Sequence, residues 1–386
     1  MNFRYMILPL AALLFLCPMA FAEDGSHGDF IYASGTDLMH RGKVFRYIGT
    51  NIYYLMAYST MPDLRKYVDT LFDDAEKMGI KVIRTWAFND GSRQWNALQA
   101  SPGVYKENAF VGLDRVIAKA REKKMYLILT LVNNANDYGG ARQYVDWSPS
   151  AVKKEHAEFF TDTNARQYYK NHIKAVLTRK NTITDIAYKD DPTILAWQLI
   201  NEPRVENDPG GDILYNWISE MSAYIKSIDK NHLVMTGVEG FYANVDEHDW
   251  KLNGSAGQDF IRDHSIPTID IASFHMWPCS SKYNICDEDI RSWIKRHVED
   301  AKKIGKPLVL DEFGEYRGYN GDTIERDRLY KNILDLLEVN KAAGANFWQL
   351  LHKEYKKYDD GFGVYYPDDS STIELIKSAA LNTGPK

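Results

Sequence analysis

The sequence predicts a single (β/α)8 TIM barrel, an α/β fold with an N-terminal hairpin and extended βα loops. Three observations carry that expectation. Short apolar runs alternate with amphipathic helical patterns along almost the whole chain, as βα units of a parallel sheet do. Eight such runs are present, the number at which a parallel sheet closes on itself. Several end abruptly in amides and carboxylates, as strands do where they open onto the functional face of a barrel.

The chain begins with a stretch that reads as a signal peptide, residues 1–22. Arg4 supplies the positive start, residues 5–17 are mostly apolar, and Ala20-Phe21-Ala22 fits a small-residue cleavage site. The apolar stretch is too short to span a bilayer, and no second hydrophobic span follows. The expectation is therefore an exported protein, secreted or periplasmic, with no membrane association. Residues 23–386 read as one domain, because no Pro/Gly/Ser-rich linker or low-complexity segment divides them; a monomer is expected. The formal charge of −6, one unit more negative once Arg4 is lost, comes with no basic block and argues against nucleic acid as a partner. With Cys17 in the leader, Cys279 and Cys286 remain; in an exported chain they read as one short-loop disulfide. No Cys or His cluster has metal-ligand spacing, so neither metal nor cofactor is expected.

In chain order, residues 30–45 read as a hairpin, with Asp29–Tyr32 as one arm and Arg41-Gly42 at its turn. The eight strands are expected at 47–52, 81–88, 126–132, 194–200, 233–238, 269–275, 307–310 and 345–351. Helical patterns cover 64–78, 112–123, 165–178, 214–227, 287–303 and 323–341. The longest interval, 133–192, opens with polar and aromatic residues and is a candidate substrate wall.

The fourth apolar run ends in Asn201-Glu202-Pro203-Arg204. Taken alone this reads equally as a strand end or as a helix start capped by Asn201. The seventh run tips the balance, because Asp311-Glu312 ends another short apolar strand. The other strand ends contribute Arg84 and Trp86, Glu239, His275 and Trp277, and Trp348. Ionisable groups on buried strands are costly unless paired or used. Two carboxylates in different environments, one protonated and one ionised, are what cleavage of a glycosidic bond requires.

The chain at this point resembles glycoside hydrolase family 5, in its β-mannanase branch. The marks are Gly49-Thr50-Asn51, Val82–Trp86 with Phe88-Asn89-Asp90, Leu177-Thr178-Arg179 with Asn181-Thr182, 188–192, 197–204, Glu239-Gly240 and Asp311–Gly314. The resemblance implies a retaining double displacement on β-1,4-linked mannan, glucomannan or galactomannan. By position it makes Glu202 the acid/base and Glu312 the nucleophile. It places Asn201 on the sugar 2-hydroxyl, Arg84 and His275 beside the carboxylates, and Trp348 under the sugar. Trp86, Arg204, Glu239 and Trp277 become substrate-subsite residues. The chain departs from the family pattern at three positions. Trp277 stands where a tyrosine is usual, Ala135 where a tryptophan is common, and Gln198 where glutamate is commoner; little effect on chemistry is expected from Gln198. A β-1,4-glucanase of the same fold and an exo-acting β-mannosidase are the alternative readings.

Overall fold

The protein is described by a computed structural model covering residues 27–153, 155–206, 208–243, 245–277, 287–318 and 321–383. Its centre is an eight-stranded parallel sheet. The strands are β1 (Tyr47–Asn51), β2 (Val82–Trp86), β3 (Tyr126–Thr130), β4 (Ile194–Gln198), β5 (Leu233–Met235), β6 (Ala272–Met276), β7 (Leu308–Phe313) and β8 (Gly344–Phe347). Hydrogen bonding runs in the order β5-β4-β3-β2-β1-β8-β7-β6. The Met235–Ile271 bridge and the bond from Asp270 N–H to Val234 O, 2.9 Å, join β5 to β6 and close the barrel. Around it lie α1 (Pro62–Lys77), α2 (Glu107–Glu122), α3 (Thr163–Leu177), α4 (Asp212–Ile228), α5 (Phe260–His264), α6 (Asp287–Ile304), α7 (Ile324–Asn340) and α8 (Ser370–Asn382).

Alternation along the strands divides the core in two. Residues facing outward, such as Ile83, Trp197, Phe274 and Leu310, pack with the helices in one large apolar cluster. Residues facing inward near the strand starts, among them Tyr47, Val82, Leu195 and Val309, form a second cluster with Ile31 and Leu38. Those two come from the N-terminal segment, which therefore closes the lower mouth of the barrel. It is a three-stranded antiparallel sheet, Tyr32–Ser34, Asp37–His40 and Lys43–Phe45, rather than the expected hairpin. A tight turn at Ser34–Asp37 folds the first arm back on itself.

Two more differences concern the last units. The eighth strand stops at Phe347, and Leu350–Leu351 pairs instead with Val364–Tyr365. The short α5 and the C-terminal α8 carry helical backbone that the apolar pattern did not reveal. Strand β7, by contrast, runs three residues beyond its expected end. Its register explains why: Phe274 pairs with Leu310 but His275 pairs with Glu312, so one extra residue is inserted in β7. This bulge turns both Asp311 and Glu312 inward, between the outward-facing Leu310 and Phe313.

Close backbone approach shows at Gly344, which pairs with Tyr47; a Cβ there would lie 2.2 Å from the Tyr47 ring. Tyr47 is 1% exposed and has no room to yield. Gly344→Ala is expected to destabilise the barrel by about 1–3 kcal/mol. A lower urea midpoint at unchanged slope is the readout.

Candidate active site

Asn201 and Glu202 lie just past the end of β4, and no helix starts there; α4 begins at Asp212. Asn201 is bridged to Asn133 beyond β3. The Glu202 N–H donates to Gly237 O at 2.9 Å, tying it to the end of β5. Glu202 takes a left-handed backbone, φ 50°, costly for a residue with a Cβ and typical of sites where the surroundings over-determine a side chain. Gly237 makes the approach possible, because a Cβ there would sit 1.8 Å from Ile200 O.

Arg84, inward on β2 and 1% exposed, is the hub. Its Nε donates to Gln198 Oε1 at 2.8 Å and lies 3.1 Å from Asp311 Oδ2. Nη1 donates to Asn51 Oδ1 at 2.9 Å and to Glu312 Oε1 at 2.5 Å, and Nη2 to Asn201 Oδ1 at 2.6 Å. His275, fully buried on β6, places Nδ1 3.0 Å from Glu202 Oε1 and 3.5 Å from Glu312 Oε2. One oxygen of each carboxylate and a ring nitrogen of His275 lie within 4.8 Å of one another. That close spacing of the two carboxyl groups is the retaining arrangement; inversion requires room for a water between them.

Gln198, from which little effect on the chemistry is expected, is tied into the site. Its amide oxygen accepts from Arg84 and from Thr130 Oγ1 (2.7 Å), and its amide nitrogen donates to Asp311 Oδ2. Arg204 and Glu239 form a pair of their own. Arg204 Nε lies 3.0 Å from Glu239 Oε1, and fully buried Glu239 also accepts from Gln258 Nε2 at 2.7 Å. The guanidinium stacks over Phe241 and Trp250, 5.2 and 5.4 Å from the ring centres. Beside it is a cavity of about 460 Å³ lined by Arg204, Glu206, Trp250 and Ser255.

Trp348 is half-buried and lies parallel to Tyr53, 5.3 Å between rings, with its Nε1 donating to Asp360 Oδ2 at 2.6 Å. Trp86 is only 5% exposed and stacks on Phe88 beneath Tyr53, so it backs the wall rather than offering a face. Trp277 packs edge-on against Trp348 and Phe362. Tyr53, Tyr138, Tyr358 and Asp360 complete this rim; Tyr138 belongs to the interval expected as a substrate wall, whereas Tyr53, Tyr358 and Asp360, in the loops after β1 and β8, carried no sequence signal. Cys279 and Cys286 lie outside the described residues.

The profile of the family described as "GH family 5 beta-mannosidase-like" matches residues 28–353. The chain belongs to glycoside hydrolase family 5. It is 40% identical over 365 residues to mannan endo-1,4-beta-mannosidase 7 of Arabidopsis thaliana, covering 90% of this chain and 84% of the relative. It is 42% identical over 370 residues to mannan endo-1,4-beta-mannosidase 2 of rice (Oryza sativa subsp. japonica), covering 90% and 82%. Among solved structures, the endo-1,4-beta-D-mannanase of Thermotoga petrophila superposes with a TM-score of 0.80 at 36% identity, covering 87% of this chain and 99% of that one. The endo-1,4-beta-mannanase of Rhizomucor miehei gives a TM-score of 0.80 at 32% identity, covering 91% and 99%.

The family 5 centre of this chain brings two cations against three carboxylates. Burial opposes the charge on His275, but Glu312, Asp311 and Glu202 outweigh it and raise its pKa to about 10. Burial lifts Asp311 as well; Arg84, His275 and the Gln198 amide reverse this and leave it below the usual carboxylate value. Burial, with Glu202 and Asp311 adding to it, leaves the Glu312 carboxyl above its usual value although His275 and Arg84 oppose the rise. Glu202, His275 and Glu312 each bring a ligand atom within 4.8 Å of the others. Arg84 already supplies positive charge to Glu312.

A histidine whose pKa rises from 6.5 to about 10 on folding binds more protons folded than unfolded between those values. Its contribution is complete below pH 6.5 and is lost as pH rises toward 10. The melting temperature of the wild type, relative to that of His275→Gln, is therefore expected to fall steadily across this window. A constant difference between the two would contradict the assignment.

Proposed function

We propose that the protein hydrolyses internal β-1,4-mannosidic bonds of mannan, glucomannan or galactomannan with retention, Glu202 acting as acid/base and Glu312 as nucleophile. The observation that carries the residue roles is the asymmetry of the two carboxylates about Arg84. Glu312 takes the guanidinium at 2.5 Å, whereas Glu202 faces His275 and is more open, 20% against 5% side-chain exposure. Counting Arg84 and His275 as cations, and Glu202, Asp311 and Glu312 as carboxylates, the cluster is neutral with one added proton. Burial raises the Glu312 carboxyl overall, but Arg84 at 2.5 Å favours its charge, and we place the added proton on the more open Glu202. As with any coupled pair, the two titrate together.

In the first step a Glu312 oxygen attacks the anomeric carbon while Glu202 gives its proton to the departing glycosidic oxygen. In the second, Glu202 takes a proton from water, the water oxygen attacks the same carbon, and Glu312 leaves. Two inversions give retention. Asn201 is fixed by Arg84 and Asn133, which leaves one amide hydrogen for the sugar 2-hydroxyl. Trp348, braced by Tyr53 and Asp360, is the platform under the ring. Arg204, with Glu239 behind it, lines the adjoining cavity and meets further sugars. Mannan rather than glucan, and internal rather than terminal cleavage, are supported by the names of the relatives.

Glu202→Gln is expected to lower kcat on mannohexaose by about 10²–10⁴-fold, and Glu312→Gln by at least as much, with folding intact. Added azide distinguishes the roles. In Glu312→Ala, where truncation leaves room for it and the substrate carries a good leaving group, azide gives a mannosyl azide of inverted configuration, and in Glu202→Ala on the same substrate a retained one. The opposite pairing would exchange the two assignments, and undiminished activity in either variant would overturn the function. Mixed mid-length products from the wild type mark internal cleavage; steady release of mannose alone would mark an exo enzyme.

We further propose that residues 1–22 direct export and that Cys279 pairs with Cys286 afterwards. The exported protein is expected to begin at Glu23 and to show no free thiol under denaturing conditions. Two titratable thiols would exclude the pairing.

A further inference from the structure

Asp311 touches no position that a sugar would occupy, yet the bulge in β7 aims it into the same interior as Glu312. It is fully buried. Its Oδ1 accepts from Asn346 Nδ2 at 3.0 Å. Its Oδ2 accepts from Gln198 Nε2, lies 3.1 Å from Arg84 Nε, and lies 3.9 Å from His275 Nε2. The same oxygen therefore faces both buried cations of the site from behind. His275 Nε2 is buried and makes no hydrogen bond, so among the described residues Asp311 is the ion-pair partner on that side of the ring.

We propose that Asp311 is a positioning residue for the hydrolytic reaction: it fixes Arg84 and His275 from behind and keeps the imidazole cationic while Glu202 and Glu312 turn over. This rests on the assignment of Glu202 and Glu312 as the reacting pair. The imidazole meets Glu202 beyond β4 and Asp311 and Glu312 on β7, while the His275 main-chain N–H donates to Glu239 O at 3.2 Å, at the end of β5. The Glu239 side chain is turned away to Arg204, and the Arg84 guanidinium is held by Glu312, Asn51, Gln198 and Asn201. Of these carboxylates, Glu202 and Glu312 change charge during the reaction. Asp311 does not, so it is the one group able to hold the ring charged throughout. A charged ring keeps Nδ1 a donor to Glu202 and prevents it from drawing off the catalytic proton.

The Gln198–Asp311 hydrogen bond supplies the test. Asp311→Asn removes the charge. The double variant Gln198→Glu/Asp311→Asn keeps one carboxylate beside Arg84 and the hydrogen bond between the two side chains, but moves the charge away from His275. The His275 ring signals, identified by their loss in His275→Gln, are followed by NMR against pH, together with kcat/KM on mannohexaose.

The proposal expects His275 to titrate at least about one pH unit lower in both variants than in the wild type. The alkaline limb of kcat/KM is expected to move down with it, with KM little changed. A purely structural Asp311 would let the double variant recover the wild-type His275 titration and pH profile, and that result overturns the proposal. A wild-type His275 that loses its proton below pH 7 overturns it without any variant. Either failure leaves the Glu202 and Glu312 roles standing, because those are decided by the azide products.

Discussion

A buried guanidinium organises the upper half of this barrel. Arg84 sits on the axis with almost no exposure, and an unpaired charge there would be strongly destabilising. Its donors are shared among Asn51 on β1, Gln198 and Asn201 on and after β4, and Asp311 and Glu312 on β7. Four of the eight strands are thus joined through one side chain. Below it the interior is a dry cluster of Tyr47, Val82, Leu195 and Val309 sealed by Leu38. Above it lie the polar side chains of Asn51, Gln198, His275, Asp311 and Glu312, linked to one another through the guanidinium and its acceptors. The polar layer must be preorganised as a whole, since removing one acceptor leaves the cation underpaired and its neighbours free to turn.

Backbone distortions, not side-chain choice alone, aim the two carboxylates at each other. A regular strand would turn Asp311 and Glu312 to opposite faces; the bulge sends both inward. On the other side, Glu202 takes a left-handed φ beside Gly237, whose missing Cβ leaves room for the Ile200 carbonyl. These local costs fall where the two strands deliver groups to the reaction. They are offset by the regular ladder and helix packing that surround them.

Much of this was legible in the sequence, for a physical reason. Strands buried on both faces leave no ambiguity about which residues are expensive, so Glu202, Glu312, Arg84 and His275 announced themselves as polar groups at apolar strand ends. The eight strands were legible too, although their ends shifted by a few residues. The hub role of Gln198 was not, because a glutamine inside an apolar run carries no charge to mark it. The bulge was not, since it depends on register with β6 and β8. Trp86 was expected among the substrate-subsite residues; its near-complete burial beneath Tyr53 depends on loop packing that position along the strand does not show. The Tyr53–Tyr138–Tyr358 rim joins three loops distant in sequence, which no local pattern encodes. Helix α8 was missed because its apolar face, Ile373 and Ile376, is narrow.

The same geometry clarifies what Trp277 does in place of the usual tyrosine. An indole can donate one hydrogen bond but accept none, and here it lies edge-on to Trp348 and Phe362. It is packed against those two rings and brings no hydroxyl to Glu312. Control of the charge on Glu312 then falls to Arg84 at 2.5 Å and to His275 at 3.5 Å. Both cations in turn answer to Asp311. Two cations facing three carboxylates leave room for a single shared proton, and the departing sugar oxygen needs only one. Where a phenol is absent, the ionic layer behind the site becomes the means of keeping that proton on the side of the leaving group.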